Sequence, residues 1–348
     1  MKILITGNMG YVGPGVVSQL RKTHPNSRLI GFDTGFFARH LTNSAILPET
    51  KLNEQIFGDV RNFDTEILNN VDVVIYLAAI SNDPMGNKFE QITMDINYKA
   101  AIELAKAAKA KGVRAFIFAS SCSVYGAADD AAKIETDTLN PLTAYARSKI
   151  AAEKDLETIA DKNFTVTCHR FATACGASNR LRLDLVVNDF VAGAVTSKKI
   201  DILSDGTPWR PLINVLDMAR AIDWSVTRKP EQGGNFLAVN TGSNEWNYQV
   251  KELAEVVAEV VPGCKVSVNA DAPPDKRSYK VNFDLFKKLA PNHQPIYSLK
   301  PSIQNLYDQL VNMGFNDANF RSSSLMRLNV INQLLEAETL DSNLNWNW

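Results

Sequence analysis

The chain has 348 residues, 45% of them hydrophobic and 22% charged, with 37 basic against 38 acidic side chains and a formal net charge of -1. That length supports one large domain or a domain with a smaller lobe, and the even charge excludes bulk attraction to nucleic acid or to an anionic membrane. No apolar run approaches a membrane span, the N-terminal MKILITG reads as a strand rather than a signal peptide, and the scattered Cys122, Cys168, Cys175 and Cys264 read as reduced cytoplasmic thiols without metal-ligand spacing.

KILIT opens the chain and a helical pattern follows over 12–21. RLIGF (28–32) and VDVVIYLAA (71–79) are further apolar runs, the second followed by an Ala/Lys-rich pattern that predicts one long helix over about 88–111. RAFIFAS (114–120) leads to a predicted helix over 141–160, and FTVTCHRF follows at 164–171. Near-continuous apolar strands alternating with helices predict a parallel sheet covered on both faces. The fold expected is therefore α/β, a Rossmann-type doubly wound parallel sheet. Past 175 the pattern loosens. Helices are predicted over 185–196 and 215–226 among short extended pieces, a Pro- and charge-rich loop spans 271–278, and the tail carries Trp346 and Trp348. We expect a dinucleotide-binding domain over 1–175 and a mainly substrate-binding C-terminal α/β lobe over 176–348, with the chain crossing between them.

The first predicted strand ends in Gly7, Asn8, Met9, Gly10, Tyr11, Val12 and Gly13, a G-x-x-G-x-x-G turn between strand and helix. Such a turn lets backbone approach a pyrophosphate, and the helix N-terminus faces the negative charge. Alone it is also compatible with an ordinary tight turn. Asp33 ends the second predicted strand twenty positions after Gly13. A carboxylate there accepts hydrogen bonds from ribose hydroxyls and repels a 2′-phosphate, which selects NAD over NADP; the blander reading is a turn residue in Asp33-Thr34-Gly35. Asp59 and Val60 follow a short predicted strand and are placed near the adenine.

Ser120-Ser121-Cys122-Ser123 follows the fourth apolar strand, at the carboxyl edge where ligands bind in open α/β sheets. Tyr145 and Lys149 stand at i and i+4 and share a helix face. A phenol with a pKa of about 10 is a poor base at neutral pH. A neighbouring ammonium and an oxidised nicotinamide favour the phenolate, which can then take a proton from a hydroxyl while hydride leaves the carbon. Ser121 can hydrogen-bond the same oxygen. An isolated Tyr-x-x-x-Lys pair is most often a surface pair; the glycine turn, Asp33 and the Ser-rich strand end make this one a catalytic candidate.

Taken together, TGNMGYVG, SSCSVYG and YARSK resemble the extended short-chain dehydrogenase/reductase family, and within it the NAD-dependent nucleotide-sugar epimerases and dehydratases. The resemblance covers about residues 1–290. It implies Ser121, Tyr145 and Lys149 as catalytic residues, NAD as cofactor, and Leu77, Ala78, Ala79 and Asn97 around that cofactor. FATACGAS (171–178) is similar to the segment passing the nicotinamide, with Thr173 where many sugar epimerases have Asn; Tyr76 stands where His is frequent. Arg210 and Arg277 match phosphate-binding positions, the second within Asp275-Lys276-Arg277-Ser278-Tyr279, and Asn188 matches a substrate contact. Ser81 and Asn82, in the loop through Gly86, are not part of the resemblance; they are expected over the substrate, with capping of the following helix as the alternative, and Ser123 is expected beside the substrate. The dehydratases carry an acid pair directly after the catalytic Ser or Thr; here those positions are Cys122 and Ser123, with Asp83 or Glu135 as conceivable substitutes. The activity implied is C4 epimerisation of a nucleoside-diphosphate sugar, with a dehydrogenase or ketoreductase as the alternative, a 4,6-dehydratase disfavoured, and a non-catalytic NAD-binding protein as the competing class. The resemblance also implies a homodimer, for which Ile102, Leu104, Ala105, Ile150 and Leu156 are candidate contacts.

Overall fold

Alternation along the first strand sets the architecture. In the computed structural model, which describes residues 1–127, 131–269 and 277–347, β1 (Lys2–Thr6) sends Ile3 and Ile5 into one core and Leu4 into another, as the two-residue period of a strand requires. The strands that follow are β2 (Arg28–Asp33), β3 (Glu54–Phe57), β4 (Val73–Tyr76), β5 (Ala115–Ser121), β6 (Thr165–Phe171), β7 (Thr173–Cys175), β8 (Lys199–Ile202), β9 (Trp209–Asn214), β10 (Phe236–Thr241), β11 (Asn247–Gln249) and β12 (Lys265–Val268). Seven of them form a parallel sheet in the order β10-β6-β5-β4-β1-β2-β3. Strand order reverses between β1 and β4, which opens a crevice at their carboxyl ends.

The helices are α1 (Gly13–Thr23), α2 (Asp83–Lys88), α3 (Glu90–Met94), α4 (Ala101–Ala110), α5 (Ala144–Ile159), α6 (Val186–Ser197), α7 (Val215–Thr227), α8 (Val250–Val260), α9 (Asp284–Leu289), α10 (Leu299–Asn312) and α11 (Arg327–Glu336). α1 and α7 pack on the face that holds Ile3 and Ile5. α4, the end of α5 and α11 pack on the Leu4 face. A third core joins α6, α8 and α10 with β8 and β9, beside the sheets β11-β9-β7 and β12-β8.

The single helix expected over 88–111 is broken. α2 stops at Phe89, whose backbone (φ -122°, ψ 52°) is not helical, and a π turn over Asp95–Ala100 separates α3 from α4. Turns of this kind recur at functional sites. Here Asn97, within it, accepts from the Ile80 amide at 2.8 Å and donates to the Ile80 carbonyl at 2.9 Å and to Ser148 Oγ at 3.2 Å.

After position 175 the chain returns to the large sheet. β10 pairs with β6, and Val330, Ile331, Leu334, Leu340 and Leu344 join the Leu4-side core. Ile102, Leu104, Ala105 and Leu156 lie in that same core and Ile150 in the opposite one, so the apolar contacts considered for a dimer are already buried in their own chain. Among the described residues no helix is long and apolar enough to cross a membrane, and no group of three or more His, Cys, Asp or Glu is placed to hold a metal ion.

Candidate active site

The crevice at the carboxyl edge is a cleft of about 850 Å³ that runs from Asp33 past the glycine turn to Tyr145. Its floor depends on two glycines. Gly7 has φ +73° and a Cβ there would lie 2.5 Å from the Ala78 nitrogen; a Cβ on Gly13 would lie 1.9 Å from the Asn8 carbonyl oxygen. The turn therefore presses against the residues after β4 and closes tightly onto α1, as a dinucleotide turn must. Gly7, Gly10, Tyr11 and Val12 line the cleft, with Leu77, Ala78 and Ala79 opposite. Asn8 and Met9 support it from behind. Asn8 Nδ2 donates to Gln55 at 2.6 Å, and the Met9 amide donates to Asp33 Oδ2 at 2.9 Å.

Asp33 also accepts from the Gly35 amide at 2.8 Å, so its carboxylate is held at the end of β2. Burial pushes its pKa up, against the lowering by the Gly35 and Met9 amides and Arg180. Asp59 and Val60 line the same end. Asp59 is closely paired with Arg61, at 2.5 Å.

At the other end, β5 delivers Ser121 and α5 delivers Tyr145 and Lys149. Thr143 caps α5 by accepting from the Ala146 amide at 3.2 Å, which fixes the first turn where Tyr145 sits. Ser121 and Tyr145 both line the cleft, and Ser121 acts on the phenol in the direction that favours the phenolate. Lys149 Nζ donates to the Ala119 carbonyl at 2.7 Å and stands 5.5 Å from the Tyr145 ring centre. Burial pushes the phenol up to about 12, opposed by the Ser121 hydrogen bond and the Arg182 charge. Burial lowers Lys149 to about 7, opposed by Cys168 and Glu153. The lowering expected of the phenol thus comes from Ser121 and Arg182, and in the protein alone desolvation outweighs it.

The remaining candidates divide. Ser81, Asn82, Ser123, Thr173, Arg210 and Arg277 line the cleft. Ser123 Oγ is buried without a hydrogen-bond partner, a hydroxyl available to a ligand. Arg210 donates to the carbonyls of Trp209 and Arg277, and Arg277 pairs with Asp83 at 2.6 Å. Asn188 does not reach the cleft. It is fully buried, accepts from the Gly176 amide and donates to Tyr11 Oη and the Arg182 carbonyl, so it fastens the wall instead of touching substrate. Asn97 likewise acts from behind, through Ile80. Tyr76 is turned into the core, donating to the Ile96 carbonyl. Asp275, Lys276 and Trp348 lie outside the described residues.

Sequence reasoning missed Arg182 and Asp184. Arg182 is buried, pairs with Asp184 at 2.6 Å and donates to Ser81 Oγ at 2.8 Å; Asp184 accepts from Asn82 at 2.6 Å. This network braces the loop after β4 beside Tyr145. RLRLD at 180–184 has the alternation of a half-exposed strand, yet Arg180, Leu181, Arg182 and Leu183 are all buried; two arginines separated by one residue and followed by an acid were the available signal.

The parallel sheet, the glycine turn, Asp33 and the Ser–Tyr–Lys group define an enzyme of the extended short-chain dehydrogenase/reductase type. The NAD dependent epimerase/dehydratase family model matches residues 3–242, and the chain belongs to that family, whose cofactor is NAD. It is 28% identical over 320 residues to the uncharacterized UDP-glucose epimerase YtcB of Bacillus subtilis (strain 168), covering 88% of this chain and 96% of that protein. It is 24% identical to human dTDP-D-glucose 4,6-dehydratase, covering 75% and 74%. Among solved structures, MoeE5 in complex with UDP-glucose and NAD superposes with a TM-score of 0.73 at 25% identity, covering 90% of this chain and 99% of that one. The residues here fit NAD: the Gly7 turn leaves room only for backbone at Ala78, and the Asp33 carboxylate is pinned at the end of β2, where it would meet ribose hydroxyls.

Proposed function

We propose that this chain is a nucleoside-diphosphate-sugar 4-epimerase. The reading rests on one observation: Ser121, Tyr145 and Lys149 converge on the NAD cleft, while the positions after Ser121 carry no acid. Cys122 is buried and donates to the Arg170 carbonyl at 3.0 Å, and burial pushes its thiol well above its ordinary range. Glu135 is outside the lining and accepts from the Asn240 amide at 2.9 Å. Asp83 lines the cleft but is paired with Arg277. A dehydratase needs a group to protonate the leaving hydroxyl, and neither substitute is placed as a free acid.

When bound, NAD supplies the hydride acceptor and, in its reduced form, the donor. Tyr145 takes the proton from the sugar hydroxyl, and Ser121 holds the same oxygen. Lys149, one helical turn from Tyr145, holds the cofactor ribose. Ser123 and Thr173 meet sugar hydroxyls, and Arg210 with Arg277 binds the diphosphate through charge-assisted hydrogen bonds. The UDP-glucose named for MoeE5 supports this substrate class.

The test is incubation with UDP-, GDP-, CDP- and dTDP-sugars in deuterated water without added NAD. Epimerisation gives an isomer of unchanged mass, no deuterium at C4 and no net NADH. Stoichiometric NADH would instead indicate a dehydrogenase. Loss of water with solvent deuterium uptake would overturn the reading in favour of a dehydratase.

A further inference from the structure

The end of the chain fastens beside the two acidic positions of the adenosine end. Trp346 Nε1 donates to the carbonyl of Thr34, the neighbour of Asp33, at 2.8 Å, and its ring lies 5.4 Å from Phe36. Arg61, paired with Asp59, donates to the Asn343 carbonyl at 2.6 Å and to Asn345 Oδ1 at 2.9 Å. α11 begins upstream of these contacts with Arg327, which is 2% exposed and lines the cleft.

Arg327 is unlike the other buried arginines. Arg170, Arg180 and Arg182 each pair with a carboxylate, from Glu153, Glu49 and Asp184. Arg228 has no such pair, but its donors reach Thr167 and the carbonyls of Val166, Gln232, Gly234 and Asn235. Arg327 donates from Nη2 to the Arg180 carbonyl at 2.7 Å and stacks 4.2 Å over the Phe37 ring. Its Nη1 is buried with no partner; Arg180 Nε is also unmet, but Arg180 is neutralised by Glu49, whereas Arg327 has no carboxylate pair. A buried guanidinium with an unmet donor is unfavourable until an anion meets it. Burial and the neighbouring Arg182 lower its pKa to about 9, which leaves it a cation at neutral pH; Asp184, Arg180 and Asp33 also act on it. Its charged neighbours thus lie toward both ends of the cleft, Asp33 at the ribose end and Arg182 with Asp184 near Tyr145. A dinucleotide that spans Asp33 to Tyr145 carries its diphosphate between them. The one other cation among the expected cofactor residues, Lys149, is directed at the Ala119 carbonyl.

We propose that the C-terminal segment is part of the dinucleotide site: Arg327 binds the diphosphate of NAD, and the tail fastened at Thr34 and Arg61 retains the adenosine half. This deepens the epimerase reading and rests on its NAD site. An epimerase must return hydride to the same sugar, so its cofactor has to stay through the cycle. The guanidinium fork suits a diphosphate, which presents paired anionic oxygens.

The experiment measures binding to the nucleotide-stripped full chain by calorimetry, with NAD, ADP-ribose and adenosine as probes. Arg327→Gln should weaken NAD and ADP-ribose about tenfold or more and leave adenosine unchanged, with Arg327→Lys recovering part of the loss. Wild-type affinity for ADP-ribose in Arg327→Gln overturns the assignment whether or not the enzyme epimerises, and so does an equal loss for adenosine. Should that variant fail to fold, hydrogen exchange of the wild-type chain decides: ADP-ribose, but not adenosine, should slow exchange over 327–336, and no slowing overturns it. Trp346→Ala should release NAD faster; an unchanged off-rate overturns the role of the tail.

Discussion

Tyr145 is held between opposing influences in the cleft. Burial raises its pKa to about 12, and the Ser121 hydrogen bond pulls it down. The phenolate is the active form of a base, so kcat should fall as pH drops below the pKa of the bound complex. Tyr145→Phe removes the ionisable oxygen and keeps the ring. It should lower kcat about 10²-fold or more and leave NAD affinity nearly intact; full kcat in this variant would exclude Tyr145 as base. Ser121→Ala removes a contact that favours the phenolate. Its acidic limb should therefore move to higher pH, and a limb that stays in place would show that Ser121 does not tune the base. Asp33 makes a separate prediction. Its carboxylate, held by the Met9 and Gly35 amides, opposes a 2′-phosphate, so titration should show NAD binding more tightly than NADP. Equal or tighter NADP binding would refute that role.

At the scale of elements, the cleft joins parts of the chain that sequence order keeps far apart. β9 brings Arg210 to the backbone of Arg277, and Arg277 reaches Asp83 at the start of α2. Arg210→Ala removes the brace on Arg277 and, on the proposed role, the charge that meets the diphosphate. It should raise KM for a sugar nucleotide about tenfold or more with little change in NAD binding; an unchanged KM would rule out the phosphate role. The strands β1, β2, β4, β5 and β6 were legible in the sequence because each is buried on both faces and reads as an apolar run. Ser121, Tyr145 and Lys149 were legible because strand end and i, i+4 spacing are local features. The break at Phe89 and the π turn were not, since no Pro or Gly marks either within 88–111 and the contact held inside the turn is tertiary, Asn97 with Ile80. Arg182 and Arg327 were hidden for a related reason: an arginine in isolation reads as exposed, and these two are buried by segments distant in sequence. Asn188 was assigned to substrate by position in a motif, whereas its amide meets Gly176, Tyr11 and the Arg182 carbonyl.

Over the whole molecule, assembly turns on what α4 and α5 leave outside. The homodimer implied by the family resemblance uses these helices. Their apolar residues Ile102, Leu104, Ala105, Ile150 and Leu156 are buried in the chain's own cores. Glu103 and Lys106 on α4, and Arg147, Lys154 and Glu157 on α5, are exposed. A dimer through these faces would be polar at its contact, unlike stable homodimer interfaces with an apolar centre. Charges that meet across such a contact are screened by salt. Sedimentation of the purified chain at micromolar concentration should therefore show a dimer at low ionic strength whose fraction falls as salt is raised. A salt-insensitive dimer would place the interface on another, apolar surface, and a monomer at every salt concentration would exclude association through α4 and α5. Arg147→Glu separates these cases further. Arg147 already pairs with Glu90 of its own chain at 2.5 Å, so reversing its charge disturbs both the local pair and any contact across the two-fold. A parallel Glu90→Gln variant removes only the local pair, and a shift toward monomer in the first variant but not the second would assign Arg147 to the interface.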